Sequence, residues 1–206
     1  IHATNISASG VQVLNNIVTN EASLNKGAFG IKHTATGAVG GALKGIYNNN
    51  VIYNWGRGFN IEGTPGSTLQ DIDVADNIIY AITVDLTMSP PMTAVAMPVF
   101  DSSVFSFANN QYFYNGGNSA HLFLIGSSVT SFSQWLSATG ESSASNSAPA
   151  FPHPERTIET YNSDVLGRPA SLTDFLTEAR KQSKSNWRDE YTAQEVNDYM
   201  REGFGL

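Results

Sequence analysis

The chain has 206 residues, a formal net charge of -7, 41% hydrophobic but only 14% charged residues, and no cysteine. The length suits one sizeable domain. The acidic balance argues against a nucleic-acid partner, which needs a basic face, and the missing cysteines remove disulfides, thiolate chemistry and cysteine-ligated zinc. No apolar run approaches the ~18 residues of a membrane-spanning helix, so membrane insertion is not expected.

With so few charges, Asn, Ser, Thr and Gly must cover the surface. That mix favours short strands and tight turns over helices as far as about Ala150. The opening stretch, IHATNISASGVQVLNN, reads as though already inside a strand, and we expect N-terminal coils of the same protein to precede it.

From Gly10 onward the chain repeats. Setting Asn16, Asn50, Asn77 and Asn110 in register aligns GVQVLNNIVTN, GIYNNNVIYN, IDVADNIIYA and FSFANNQYFYN, at intervals of about 30 residues. Val13, Tyr47, Val74 and Phe107 form one apolar column, and Val18, Ile52, Ile79 and Tyr112 form another. Asn15, Asn49, Asp76 and Asn109 stand just before the aligned asparagines. A third strand recurs as FGIKHTA from Phe29, GFNIEG from Gly58, ITVDLT from Ile82 and HLFLIG from His121. Each unit therefore reads as strand, Asn-rich bend, strand, turn, strand. One unit cannot bury its own apolar face. Stacked units can, with like residues ~4.8 Å apart in parallel sheets. Asn tolerates the left-handed backbone of a sharp bend, and its amide can bond to the Asn above and below. The expected fold is all-β, a parallel β-helix (solenoid) over 1–130, right-handed by the general preference for right-handed crossovers.

Beyond it, residues 131–170 are rich in Ser, Ala and Pro and read as an extended connection over the β-helix. Residues 171–206 read as two short helices. Ser171 opens SLTD and Thr192 opens TAQE, both with capping-box spacing, each followed by an apolar stripe, with Gly203 placed to stop the second. Helices this short need a surface to dock on, and a cap or brace on the β-helix is the expected role.

The repeats from Gly10 to Ser128 resemble the C-terminal part of secreted right-handed parallel β-helix proteins of the pectate-lyase-like superfamily. SFSQWLSATGESSASNS is similar to a Trp…Thr-Gly…Ser segment that follows the last coils of bacterial proteins of this kind, and PERTIETYN with the final helices is similar to their tail. The resemblance implies a bacterial protein, secreted or at the cell surface, that binds or acts on an acidic polysaccharide. Cleavage would be by β-elimination, as in a polysaccharide lyase. A non-enzymatic adhesion or structural β-helix is the alternative.

In that superfamily the site lies on outward strand positions of the middle coils. If Ile31, Phe59 and Ile82 point inward, Lys32, Asn60 and Thr83 form one outward column, and Thr34, Glu62 and Asp85 the next. Lys32 and Arg57 are then the candidate catalytic bases, with Glu62 and Asp85 as ligands of a cation such as Ca²⁺ that neutralises the substrate carboxylate. Trp55 in the Gly-flanked turn WGRGF, Asn60, and Tyr114 in the run Tyr112-Phe113-Tyr114 are the candidate substrate-binding residues. His33 falls in the inward column with Ile61 and reads as a core histidine. Asp71 and Asp73 alternate onto one outward face and offer a second place for a cation, without the Gly and distal Glu of an EF-hand.

Overall fold

Short runs rich in β-branched and aromatic residues, several of them bounded by Asn or Gly, form strands that none of them could sustain alone. The structure is a computed structural model that describes residues 1–4, 10–20, 29–35, 43–63, 69–81, 93–97, 99–114 and 122–206. The chain divides into two units, Ile1–Pro149 and Ala150–Leu206.

The described strands of the first unit are β1 (His2–Thr4), β2 (Val11–Leu14), β3 (Ile17–Thr19), β4 (Phe29–Ala35), β5 (Leu43–Asn48), β6 (Val51–Trp55) and β7 (Arg57–Gly63). They continue with β8 (Leu69–Ala75), β9 (Ile78–Ala81), β10 (Val95–Met97), β11 (Phe105–Ala108), β12 (Gln111–Tyr114), β13 (Phe123–Ile125) and β14 (Ser128–Thr130). Apart from β14, each strand pairs with the strand three places before or after it. A first sheet runs β1-β4-β7-β10-β13, a second β2-β5-β8-β11 and a third β3-β6-β9-β12. These pairings are parallel, and β14 returns antiparallel beside β13. The unit is thus β-rich, built of three stacks of parallel strands, an arrangement compatible with a solenoid.

The register reproduces the repeat. Val13, Tyr47, Val74 and Phe107 are partners across the second sheet, and Val18, Ile52, Ile79 and Tyr112 across the third. Ile31, Phe59, Val95 and Phe123 are partners across the first. The three columns meet in one core. In the first sheet the strand beside β7 is Val95–Met97, whereas the sequence alignment placed ITVDLT there; residues 82–87 lie outside the described residues. Gly30 and Gly58 let the third sheet approach, since a Cβ on either would lie 2.3 Å from Ile52 or Ile79 respectively.

The bend between the second and third sheets carries the asparagines. Asn15, Asn49, Asp76 and Asn109 all take the left-handed conformation, with φ of 55–58°. The next residue in each repeat enters a buried ladder. Asn50 Oδ1 accepts from the backbone N–H of Asn16 at 3.0 Å and from its Nδ2 at 3.1 Å. Asn77 Oδ1 takes the same two bonds from Asn50, and Asn110 Oδ1 from Asn77. The remaining Nδ2 hydrogens of Asn50, Asn77 and Asn110 go to the carbonyls of Val13, Tyr47 and Val74. Such a ladder has a direction, and its last asparagine must find an acceptor.

Residues 141–145 supply it. Ser142 bridges to Ala108 and Ser145 to Gln111, and Ser143 takes the left-handed bend at φ 56°. Ala144 therefore stands at the ladder position, and the Glu141 carboxylate fills the polar role. Glu141 accepts from Asn110 Nδ2 at 2.7 Å, Tyr112 Oη at 3.0 Å and Trp135 Nε1 at 2.6 Å. Helix α1 (Phe132–Thr139) brings the tryptophan. It starts on a full capping box of Ser131 and Gln134 and stops at Gly140 in the left-handed region. Trp135 is fully buried and stacks on Phe123 at 4.5 Å between centroids.

The second unit is helical. A single turn α2 (Ile158–Thr160) runs on into a π-helical turn over Tyr161–Val165, followed by α3 (Leu172–Ala179) and α4 (Ala193–Gly203). Ser171 and Thr192 accept from the backbone N–H three residues on, at the two capping positions read from the sequence. Tyr161, Phe175, Tyr191 and Val196 form its own small core. The stretch 131–170, read as extended, contains α1 and α2. No helix among the described residues is long and apolar enough to cross a membrane.

Candidate functional site

Alternation along β4 and β7 sends Ile31, His33, Phe59 and Ile61 into the core and Lys32, Thr34, Asn60 and Glu62 to the outer face of the first sheet. Lys32 is the register partner of Asn60, and Thr34 of Glu62. The long side chains then close diagonally. Lys32 Nζ lies 3.0 Å from Glu62 Oε1, and Asn60 Nδ2 donates to the same oxygen at 2.8 Å. One carboxylate oxygen thus gathers two donors from neighbouring strands.

Phe29 ties in the other cation. The Lys32 ammonium sits 5.1 Å from the centre of its ring and the Arg57 guanidinium 5.0 Å, within cation–π range. Arg57 is 5% exposed, and burial lowers its pKa. The outer row is partly covered: Asn60 and Ala96, partners in register, are each only 3% exposed. Lys32 and Glu62 are the two that reach solvent, with side chains 23% and 31% exposed.

So the fold brings Lys32, Arg57, Asn60 and Glu62 together. Trp55 and Tyr114 lie apart from this network. The Trp55 indole N–H donates to the Val18 carbonyl at 3.0 Å, and both rings are half-buried against the core. Asp85 lies outside the described residues. Asp71 and Asp73 do share an outward face, where Asp71 pairs with Lys44 and Asp73 accepts from Asn48 Nδ2 at 3.1 Å.

The groups of this network are committed to one another. A general base must aim a lone pair at the substrate proton, whereas the Lys32 nitrogen donates to Glu62. A cation at Glu62 would have to displace two N–H donors from its oxygen. Among the described residues no three His, Asp or Glu side chains converge as a metal site.

His33 is fully buried, as its inward column requires. Its Nδ1 shares a hydrogen bond with the Tyr47 hydroxyl, and its Nε2 is buried without a partner. Burial lowers the His33 pKa to about 4 and raises that of Tyr47. It belongs to the core, and no substrate could reach it without opening the sheets. The residue that sequence reasoning missed is Glu141; its signal was an isolated acid within a Ser-rich run beside a tryptophan.

No family model, no curated protein and no solved structure matches this chain.

Proposed function

We propose that the chain is a right-handed parallel β-helix similar to the pectate-lyase-like superfamily, secreted or on a bacterial cell surface, and that it binds an acidic polysaccharide at the Lys32 face of the first sheet without cleaving it. The observation that carries this reading is the Lys32–Asn60–Glu62 network. It offers an ammonium, an amide and a carboxylate from two paired strands on one outer face, partly open to solvent. Uronate groups would compete with Glu62 for Lys32, and hydroxyl groups would bond to Glu62. The donation of Lys32 to Glu62 favours holding over β-elimination.

The test is native electrophoresis of the full chain through gels cast with uronic-acid and neutral polysaccharides, alongside ultraviolet absorbance of the same mixtures with and without Ca²⁺. Retardation in at least one uronic-acid gel with a flat absorbance trace is expected. Rising absorbance from unsaturated uronate ends would restore the lyase reading, and no retardation in any uronic-acid gel would move the weight to the second one. That second reading is a non-enzymatic adhesion or structural role. It draws on the low charge content of 14% and on the covered outer row at Asn60 and Ala96.

A further inference from the structure

A concave surface separate from the Lys32 network lies on the outer face of the second sheet. It is a cleft of about 470 Å³ that crosses β2, β5, β8 and β11, within the ~300–1,000 Å³ range of small-molecule sites. Its floor is one row of register partners: Gln12, Ile46, Asp73 and Ser106. Parallel stacking has therefore set an amide, an aliphatic side chain, a carboxylate and a hydroxyl side by side along the stack.

The wall is made by a break in the register. Leu43 pairs with Leu69 but Gly45 pairs with Ile72, so Gln70 and Asp71 both oppose Lys44. This is a β-bulge, which re-aims the side chain it carries. Asp71 takes a left-handed backbone at φ 48°, and its carboxylate pairs with the Lys44 ammonium. Asp73 is steadied from β5 by Asn48. At the far rim Asp101 accepts from the Ser103 backbone N–H at 2.9 Å and from its hydroxyl at 2.7 Å, fixing the turn; those bonds hold the Asp101 carboxyl below its ordinary pKa.

Charge narrows the ligand. The lining holds one lysine against two aspartates, so an anion meets net repulsion. A wholly apolar ligand would strip water from Asp71 and Asp73 and give nothing back. A neutral molecule dense in hydroxyls satisfies both conditions. Carboxylates accept its O–H groups, Gln12 and Ser106 exchange donors and acceptors with it, and Ile46 meets its C–H face.

We propose that this cleft binds a neutral sugar, one or two rings of a hydroxyl-rich glycan, with Asp71 and Asp73 as the principal acceptors. The site is distinct from the Lys32 face and prefers a neutral ligand over an anionic one.

The experiment is a calorimetric titration of the full chain with neutral gluco-, manno-, xylo- and galacto-oligosaccharides, with trigalacturonate as the anionic counterpart. At least one neutral oligosaccharide is expected to bind and to outcompete trigalacturonate at this site. Asp73→Asn should weaken it tenfold or more, as should Ser106→Trp, which fills the cleft from an exposed position and leaves the core alone. Lys32→Ala should leave it unchanged, which separates this site from the first sheet. Absence of binding by every neutral oligosaccharide would overturn the proposal. So would neutral binding that a folded Asp73→Asn and Ser106→Trp both leave intact, or that Lys32→Ala abolishes.

Discussion

Glu141 Oε1 accepts a hydrogen bond from Asn110 Nδ2 at 2.7 Å, and with it closes a ladder that starts at Asn16. Every amide in the ladder donates in one direction, so its final acceptor should carry no donor of its own. A carboxylate meets that requirement, and an amide does not. Glutamine at position 141 would set an NH₂ group among donors from Asn110, Tyr112 and Trp135. Glu141→Gln is expected to cost about 1–3 kcal/mol, the worth of a hydrogen bond to a buried charge. Urea denaturation followed by tryptophan fluorescence measures it.

The middle of the ladder should be more sensitive than its start. Asn77 is 1% exposed and serves Asn50, Asn110 and the Tyr47 carbonyl. Asn77→Ala orphans several buried groups and should cost about 3 kcal/mol. Asn77→Asp should be no better, because a second carboxylate oxygen would face Asn110 Oδ1 and Tyr47 O. Asn16, half-buried at the ladder's start, should lose about 1 kcal/mol or less on the same change. Equal losses at Asn16 and Asn77 would argue against a directional buried ladder.

His33 should make the first unit sensitive to mild acid. Its folded pKa is lowered to about 4 by burial, against about 6.5 in the unfolded chain. The unfolded state then binds the extra proton more readily between those values. Stability is full above about pH 6.5 and falls as the pH drops towards 4, by up to about 3 kcal/mol. Asp174 titrates in a lower window, because bonds from Arg168 and Asn162 hold it to about 2. Stability measured from pH 7 to pH 4 should slope in the wild type and flatten in a folded His33→Gln variant.

In the helical unit, Thr192 accepts from the Glu195 backbone N–H and so satisfies one orphan donor of α4. Thr192→Ala should cost about 1 kcal/mol. Amide exchange in the first turn of α4 should accelerate, and Thr192→Ser should restore it.

The columns Val13–Tyr47–Val74–Phe107 and Val18–Ile52–Ile79–Tyr112 were legible because identical bends fix their phase, and period-two alternation follows from each bend. His33 was placed inward by the same count. The first sheet was harder. Its strands follow loops of unequal length, so residue spacing could not single out Val95–Met97 as the partner of β7. Glu141 escaped because the ladder position in its repeat is Ala144; an alignment on asparagine cannot find an acid three residues earlier that reaches in by its side chain. Helix α1 was hidden in a Ser-rich run, although Ser131 and Gln134 have capping-box spacing. The Asp71 bulge was illegible for a different reason. Two residues opposing one leaves no trace in a single strand, and a glycine there would have been the expected sign.

The most direct test of the proposed function is a calorimetric titration of the full chain with a uronic-acid polysaccharide, comparing wild type with Lys32→Ala under conditions where both are folded. The account predicts binding by the wild type and a loss of about fivefold or more in Lys32→Ala, the ~1 kcal/mol of a partly exposed charged contact. Equal affinity in the two proteins, or no heat with any uronic-acid polysaccharide, would contradict it.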